Sequence, residues 1–215
     1  MDPLVIIGNG GHSKVVREIA ILSKVYEIVA ILDDCFSEIT MMENIVYGPL
    51  SIVKDFNLTV TKFFISIGDN FTRHKIFQRL GLAEHHYARL IHPSAIVSKT
   101  AAIGYGTAVM PNCIVNAEAT IGNHCILNTG SIIEHDNLLQ EFVHISPNAT
   151  LTGSVKIGMG AHIGASATVI PGKIIGEWSV IGAGSTVIDH VPSHCLAAGV
   201  PAVIKKRYEK RRQEV

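Results

Sequence analysis

His135 stands between two carboxylates, Glu134 and Asp136, two places after Ile133. A carboxylate beside an imidazole orients the ring and raises its basicity, so this histidine can take a proton near neutral pH. The residues alone leave open which of the two carboxylates pairs with it. A second chemical signal lies near the start of the chain, where Gly8, Asn9, Gly10, Gly11, His12 and Ser13 follow the apolar run 4–7. Between a strand and a helix, such a turn presents backbone N–H groups that can hold a phosphate or pyrophosphate. A dinucleotide fingerprint would place a third glycine at position 13, where Ser13 stands, which disfavours an NAD-linked oxidoreductase. Asp33 and Asp34 follow the next apolar run, about where a ribose-binding carboxylate would lie, and keep a nucleotide reading open.

The elements that must position these residues follow two grammars. From Ile91 to Val187, every sixth residue is Ile, Leu or Val, seventeen positions in succession. Two places before many of them stands a small residue, such as Ala95, Cys113, Ala149 or Ala167, and one place after comes Gly104, Gly122, Gly158, Gly164, Gly176, Gly182, Asn116 or Asn128. A period of six fits neither a helix nor a simple sheet; it predicts a short strand and a corner, repeated. Three such units close a coil of about eighteen residues with the aliphatics stacked inside, and about five coils fit. Residues 1–85 instead alternate strands (5–7, 28–32, 63–67) with helices (13–23, 49–56, 70–80), which predicts a small parallel Rossmann-like sheet. Ser13 is the expected N-cap of the first helix. The tail from 205 to 215 is basic and is expected to be helical.

Coil arithmetic links the candidate residues. Gly153 lies eighteen residues after His135, so it should stack over the imidazole and offer its N–H to an oxyanion. His144 lies nine residues after His135, half a turn around the coil, so within one chain the two imidazoles face different sides. His162 follows His144 by one coil, which makes a stacked structural pair the alternative for both.

The six-residue repeat resembles that of the hexapeptide-repeat acyltransferases, and this resemblance implies an all-β, left-handed parallel β-helix. With the α/β Rossmann-like domain in front, the G-x-G-G-H turn and the Asp33, Asp34 pair, the whole chain resembles the bacterial sugar acetyltransferases of the bacillosamine, sialic-acid and exopolysaccharide pathways. The implied organisation is a nucleotide-sugar-binding domain over 1–85, a β-helix acetyltransferase domain over 86–204 and the tail. The implied activity is N-acetylation of a UDP-linked 4-amino-4,6-dideoxy sugar by direct transfer from acetyl-CoA, with His135 as base and no metal. By position, the resemblance places Gly10, Gly11, His12, Asp33, Asp34 and Gly48 at the nucleotide sugar. It places Asn128, His144, Gly153, Ala165 and Ala183 along acetyl-CoA, in clefts between the subunits of a homotrimer. O-acetylation of a sialic-acid-type hydroxyl would use the same base motif, and a noncatalytic nucleotide-binding solenoid is the rival of another class.

Composition narrows the field. The 215 residues are 47% hydrophobic yet only 6% aromatic and 17% charged, with eighteen basic and eighteen acidic residues. Net charge zero gives no field to draw the chain to nucleic acid. Only nine of the charged residues fall between 93 and 190, so the repeat has a neutral surface suited to contact between subunits. No apolar run approaches a membrane span, and the absence of a leader predicts a cytoplasmic protein. Cys35, Cys113, Cys125 and Cys195 form no C-x-x-C pair and are expected to be free thiols without a metal.

Overall fold

The computed structural model describes residues 1–209. Strand β1 (Asp2–Ile7) buries Leu4, Val5, Ile6 and Ile7 completely, because it runs through the centre of a sheet covered on both faces. It pairs in parallel with β2 (Tyr26–Leu32) and, on its other side, with β5 (Lys62–Ile65). The short strands β3 (Thr40–Met42) and β4 (Ile45–Gly48) extend the sheet to the order β3-β4-β2-β1-β5, with β3 antiparallel to β4. This hairpin was not expected from the sequence. Its two-residue turn, Glu43 and Asn44, takes left-handed backbone angles that few residues signal in advance.

Helix α1 (Gly11–Ser23) begins two residues before the expected start, and its N-cap is Gly10 rather than Ser13. Ser13 is buried inside the first turn, its hydroxyl unpartnered among the described residues. The segment expected to be helical over 49–56 is a 3-10 turn, Leu50–Asp55. Helix α2 (Asn70–Leu80) matches its expected span, capped by the Asp69 carboxylate accepting from the Thr72 amide at 2.8 Å and closed by Gly81 in the left-handed region.

From Leu90 onward the chain forms seventeen two-residue strands among the described residues, β6 (Leu90–Ile91) to β22 (Thr186–Val187). As far as β19, each pairs in parallel with the strand eighteen residues on, as Ile114 does with Ile132 and Ile132 with Thr150. Three flat faces result. The first carries β6, β9, β12, β15, β18 and β21; the second β7 to β22; the third β8 to β20. One residue of each strand points inward, and the inward column from Val109 to Val187 is at most 2% exposed. The small residues two places earlier fill the same interior, Cys113, Ala119, Cys125, Ala149, Ala161 and Ala167 all at 0%. An aromatic ring would not fit between stacked coils, which accounts for the low aromatic content.

Two features join the halves. Val16, Ile19 and Ala20 of α1 share one apolar cluster with Ala108, Met110 and Ile126 of the first face, so the parallel sheet and the coil have a common core. At the far end, β23 (Cys195–Gly199) adds to the first face and β24 (Ala202–Arg207) folds back antiparallel on it. Lys205 and Lys206 thus lie on a strand, not in the expected helix. The free edge of β23 offers backbone partners that outweigh local helical preference. The rest of the expected tail helix, from 210, lies outside the described residues.

Candidate active site

The corner after β13 (Ile132–Ile133) carries Glu134, His135 and Asp136, the last at φ +59°. His135 Nδ1 lies 2.7 Å from Asp136 Oδ2, with both side chains more than half exposed (60% and 57%). Glu134 is engaged elsewhere: its carboxylate accepts from Asn116 Nδ2 at 2.9 Å, one coil below. The choice left open by the sequence therefore falls on Asp136. A carboxylate at Nδ1 stabilises the Nδ1–H tautomer and leaves the Nε2 lone pair free to take a proton.

Gly153 stands one coil above. A Cβ there would lie 2.6 Å from His135 Cε1 and 2.7 Å from Nε2, so any side chain at this position would displace the ring. Among the described residues the Gly153 amide donates to no acceptor. Beneath this pair, Asn137 occupies an interior position that the repeat gives to small apolar residues. Its Nδ2 donates to the carbonyls of Glu134 (2.6 Å) and Thr152 (2.9 Å), and its Oδ1 accepts from the Val155 amide (3.1 Å). Both corners, those of His135 and Gly153, are thus tied to one buried amide. Its signal in the sequence is a break of the repeat, Asn137 two places before Leu139.

His144 sits on β15 (His144–Ile145) of the first face, not on the face of β13. Its ring lies flat on that of His162, centroids 4.7 Å apart and planes 3° from parallel. Asn128 Nδ2 lies 3.0 Å from His144 Nε2, and the Asn128 carbonyl oxygen accepts from the Thr129 amide at 2.8 Å, which orients the side-chain amide as donor. The pattern repeats one coil on, where Ser146 Oγ meets His162 Nε2 at 2.7 Å. Burial, then the neighbouring His162, Arg73 and His12 charges, push the His144 pKa down to about 3, so its ring is neutral at physiological pH. The stacked pair faces the N-terminal half of its own chain. Residues 68–71, His144, His162 and Trp178 line a cavity of about 830 Å³ between the two halves.

Ala165 and Ala183 lie on successive corners that close the first face, the Gly184 amide donating to the Ala165 carbonyl at 2.8 Å. Asn128 lies two coils below Gly164, one position beside the Ala165 and Ala183 corners.

The glycine-rich turn lies at the C-terminal edge of the parallel sheet, as do Asp33, the end of β4 and residues 66–68, the position where open α/β sheets bind ligands. A Cβ at Gly10 or Gly11 would meet nothing within 4 Å, so neither glycine is demanded by packing and the space above them is open. Gly8, by contrast, adopts φ +104° and packs on Ser66 and Ile67. Asp33 accepts from the amides of Asn9 (2.7 Å) and Cys35 (2.9 Å), bracing the turn against the end of β2. Burial opposes its ionisation, yet these amides outweigh it and hold the carboxyl below its ordinary range. Asp34 pairs with both Arg79 guanidinium nitrogens, one at 3.1 Å, on exposed surface. His12 is largely enclosed, its Nε2 buried without a partner among the described residues. Burial and then the Arg73 charge push its pKa down to about 4. Gly48 ends β4 with Ile52 Cδ1 3.0 Å from where its Cβ would be, so packing already accounts for this glycine.

Sequence reasoning missed Arg73, Asn70 and Trp178. Arg73 is 1% exposed, and an arginine inside a helix turn carries no sequence mark that distinguishes it from a solvated one.

Among known proteins, residues 3–80 match the model of the PglD N-terminal domain family. The chain is 45% identical over 112 residues to UDP-N-acetylbacillosamine N-acetyltransferase of Bacillus subtilis (strain 168); the match spans 51% of this chain and about half, 52%, of that protein. PerB of Caulobacter crescentus, solved with CoA and GDP-perosamine, superposes with a TM-score of 0.86 at 36% identity, over 96% of this chain and 98% of that one. The acetyltransferase domain of PglB from Neisseria gonorrhoeae, solved with acetyl coenzyme A, gives 0.86 at 33% identity over 94% and 98%. With a Rossmann-like domain leading into a left-handed hexapeptide β-helix, and a likeness that runs over nearly the whole of these structures, the chain belongs to the hexapeptide-repeat sugar acetyltransferases.

Proposed function

We propose that this chain transfers the acetyl group of acetyl-CoA to the amine of a nucleotide-linked 4-amino-4,6-dideoxy sugar. The observation that carries the reading is the His135 corner: an imidazole oriented by Asp136, with its free nitrogen beside the bare amide of Gly153. His135 Nε2 takes a proton from the sugar amine as the nitrogen forms its bond to the thioester carbonyl carbon. The Gly153 N–H donates to the oxygen that becomes negative, and the C–S bond then breaks, the departing thiolate taking the proton back from the His135 imidazolium and leaving as the CoA thiol. Asp136 stabilises the imidazolium. No covalent enzyme intermediate is needed, since the amine is itself the nucleophile.

Gly10, Gly11 and His12 receive the diphosphate and sugar, with Asp33 and Asp34 at the nucleoside end. The corners of Ala165 and Ala183, with Asn128 and His144 beside them, take the pantetheine arm. His135 and His144 lie on different faces of one coil, so a site that uses both is built between neighbouring subunits, most simply in a homotrimer with three clefts. Exposed Ile96 and Leu138 on the outer faces suit such packing. The UDP form is supported by the relative from Bacillus subtilis at 45% identity. A GDP sugar is a second reading, favoured by the likeness to PerB with GDP-perosamine over 96% of the chain.

The test is release of free thiol from acetyl-CoA with UDP- and GDP-linked 4-amino-4,6-dideoxy sugars and with free sialic acid. Turnover with a nucleotide amino sugar is expected. Turnover with sialic acid alone would replace N-acetylation by O-acetylation, and none with any acceptor would leave a noncatalytic solenoid. Mixing His135→Ala and His144→Ala chains, each inactive alone, should restore part of the activity if the site is shared.

A further inference from the structure

Arg73 is charged and fully buried, and among the described residues its hydrogen bonds go to neutral oxygens, with the Asp69 carboxylate acting on it electrostatically. All five of its N–H donors are used: Nε to the His124 carbonyl (2.9 Å), Nη1 to the carbonyls of Ile67 (2.9 Å) and Gly68 (3.2 Å), and Nη2 to Asn70 Oδ1 (2.8 Å) and the Phe142 carbonyl (3.0 Å). His124 and Phe142 are corners of two successive coils, both with left-handed backbone angles and with their rings stacked 8° from parallel. Asn70 continues the series upward, its Nδ2 donating to the carbonyls of Gly160 (3.0 Å) and Ala161 (3.2 Å). One guanidinium and one amide therefore span three coils of the β-helix from the first turn of α2.

This arrangement is an expensive way to hold two bodies together. Burying a charge whose hydrogen bonds all go to neutral acceptors costs several kcal/mol even with the Asp69 carboxylate acting on it, and an apolar contact of the same volume is often as stabilising or more so. What the planar fork supplies is geometry, since five acceptors from both halves must keep fixed positions at once. Two of those acceptors, Ile67 and Gly68, belong to the segment that leads from β5 into α2. Gly68 touches both candidate sites: a Cβ built on it would lie 3.9 Å from the His12 ring, and its backbone hydrogen-bonds His144.

We propose that Arg73 is a positioning residue for acetyl transfer, holding the segment 67–70 at a fixed height above the face that carries His144. The nucleotide sugar and acetyl-CoA, bound to different halves of the chain, then meet in register. This inference rests on the acetyltransferase reading above. A merely structural role would lower stability and leave the chemistry of the folded protein intact; a positioning role separates binding from turnover.

The experiment uses the full chain with Arg73→Lys, which keeps the charge but replaces the fork by a single nitrogen. Dissociation constants for UDP (or GDP) alone and for CoA alone are expected to stay within about twofold, while kcat falls at least about tenfold. Wild-type kcat in the folded variant, or a loss of both affinities in step with a lowered melting temperature, would overturn the proposal. Asn70→Ala, which leaves four of the five Arg73 bonds in place, serves if the lysine variant does not fold, with a smaller fall in kcat at unchanged affinities. Should the wild-type chain transfer no acetyl group, that is a failure of the proposed function. The clamp is then read from amide hydrogen exchange of residues 67–72, which must quicken at least tenfold in the variant while the coil strands stay protected; unchanged exchange overturns it.

Discussion

Replacing Gly153 by alanine tests the reaction centre with a single methyl group. The new Cβ would lie 2.6 Å from His135 Cε1, where ordinary contact begins at 3.4 Å, so the ring must withdraw by about 0.8 Å. Gly153 does not use the left-handed region, so alanine brings no backbone strain, and its N–H remains available to an oxyanion. The imidazole is 60% exposed and can swing into solvent, so the change in stability should stay within about 1 kcal/mol. Catalysis is less forgiving, because a displacement of about 1 Å costs on the order of 10²-fold in rate. Thiol release at saturating acetyl-CoA and sugar, alongside a thermal melt, should show kcat down by about 30- to 100-fold with an almost unchanged melting temperature. In a His135→Ala background the same substitution should add little, since the group it displaces is gone. A folded Gly153→Ala chain with wild-type kcat would refute both the stacking and the role of His135 as base.

Removing the base altogether, His135→Ala, should lower kcat by about 10²- to 10⁴-fold. Asp136→Asn should lose a substantial part of that, and Glu134→Gln, whose carboxylate bonds Asn116, should lose little; equal losses in steady-state kinetics would contradict the pairing seen here. Asn137→Ala strands the Val155 amide and two carbonyls inside the coil, and denaturant unfolding should show a loss of about 2 kcal/mol or more. The depressed pKa values of His12 and His144 make stability depend on acid. Both rings are neutral when folded but protonate near the ordinary 6.5 once the chain unfolds, so the unfolded state gains protons first. Their contribution is complete above about pH 6.5 and is lost as pH falls toward about 4 for His12 and about 3 for His144. Melting temperatures between pH 7 and pH 4 should fall, and fall less steeply in His12→Asn; equal slopes would count against the burial of that ring.

The β-helix was legible because its rule is one-dimensional. A residue's place in the coil follows from its number, so the stacking of Gly153 on His135 and of His162 on His144 could be read by adding eighteen, and both are present. Strand β1, helix α2 and the turn between residues 8 and 13 carried ordinary local signals. The hairpin of β3 and β4 did not, nor did the true cap of α1, where the extended backbone of Gly10 takes the place expected for Ser13.

By itself the sequence determined the repeat, its interior, the glycine-rich edge and the position of the histidine proposed as base, because each depends on spacing along the chain. Only the tertiary structure decided how the two halves meet. Asp136 rather than Glu134 supports His135 because Asn116, one coil below, has already engaged Glu134. His144 and His162 turn toward their own chain's first domain, and Arg73 leaves the solvent to bind carbonyls fifty-one and sixty-nine residues away. Such contacts are set by which surfaces close on one another in space, and no local pattern of residue types records that.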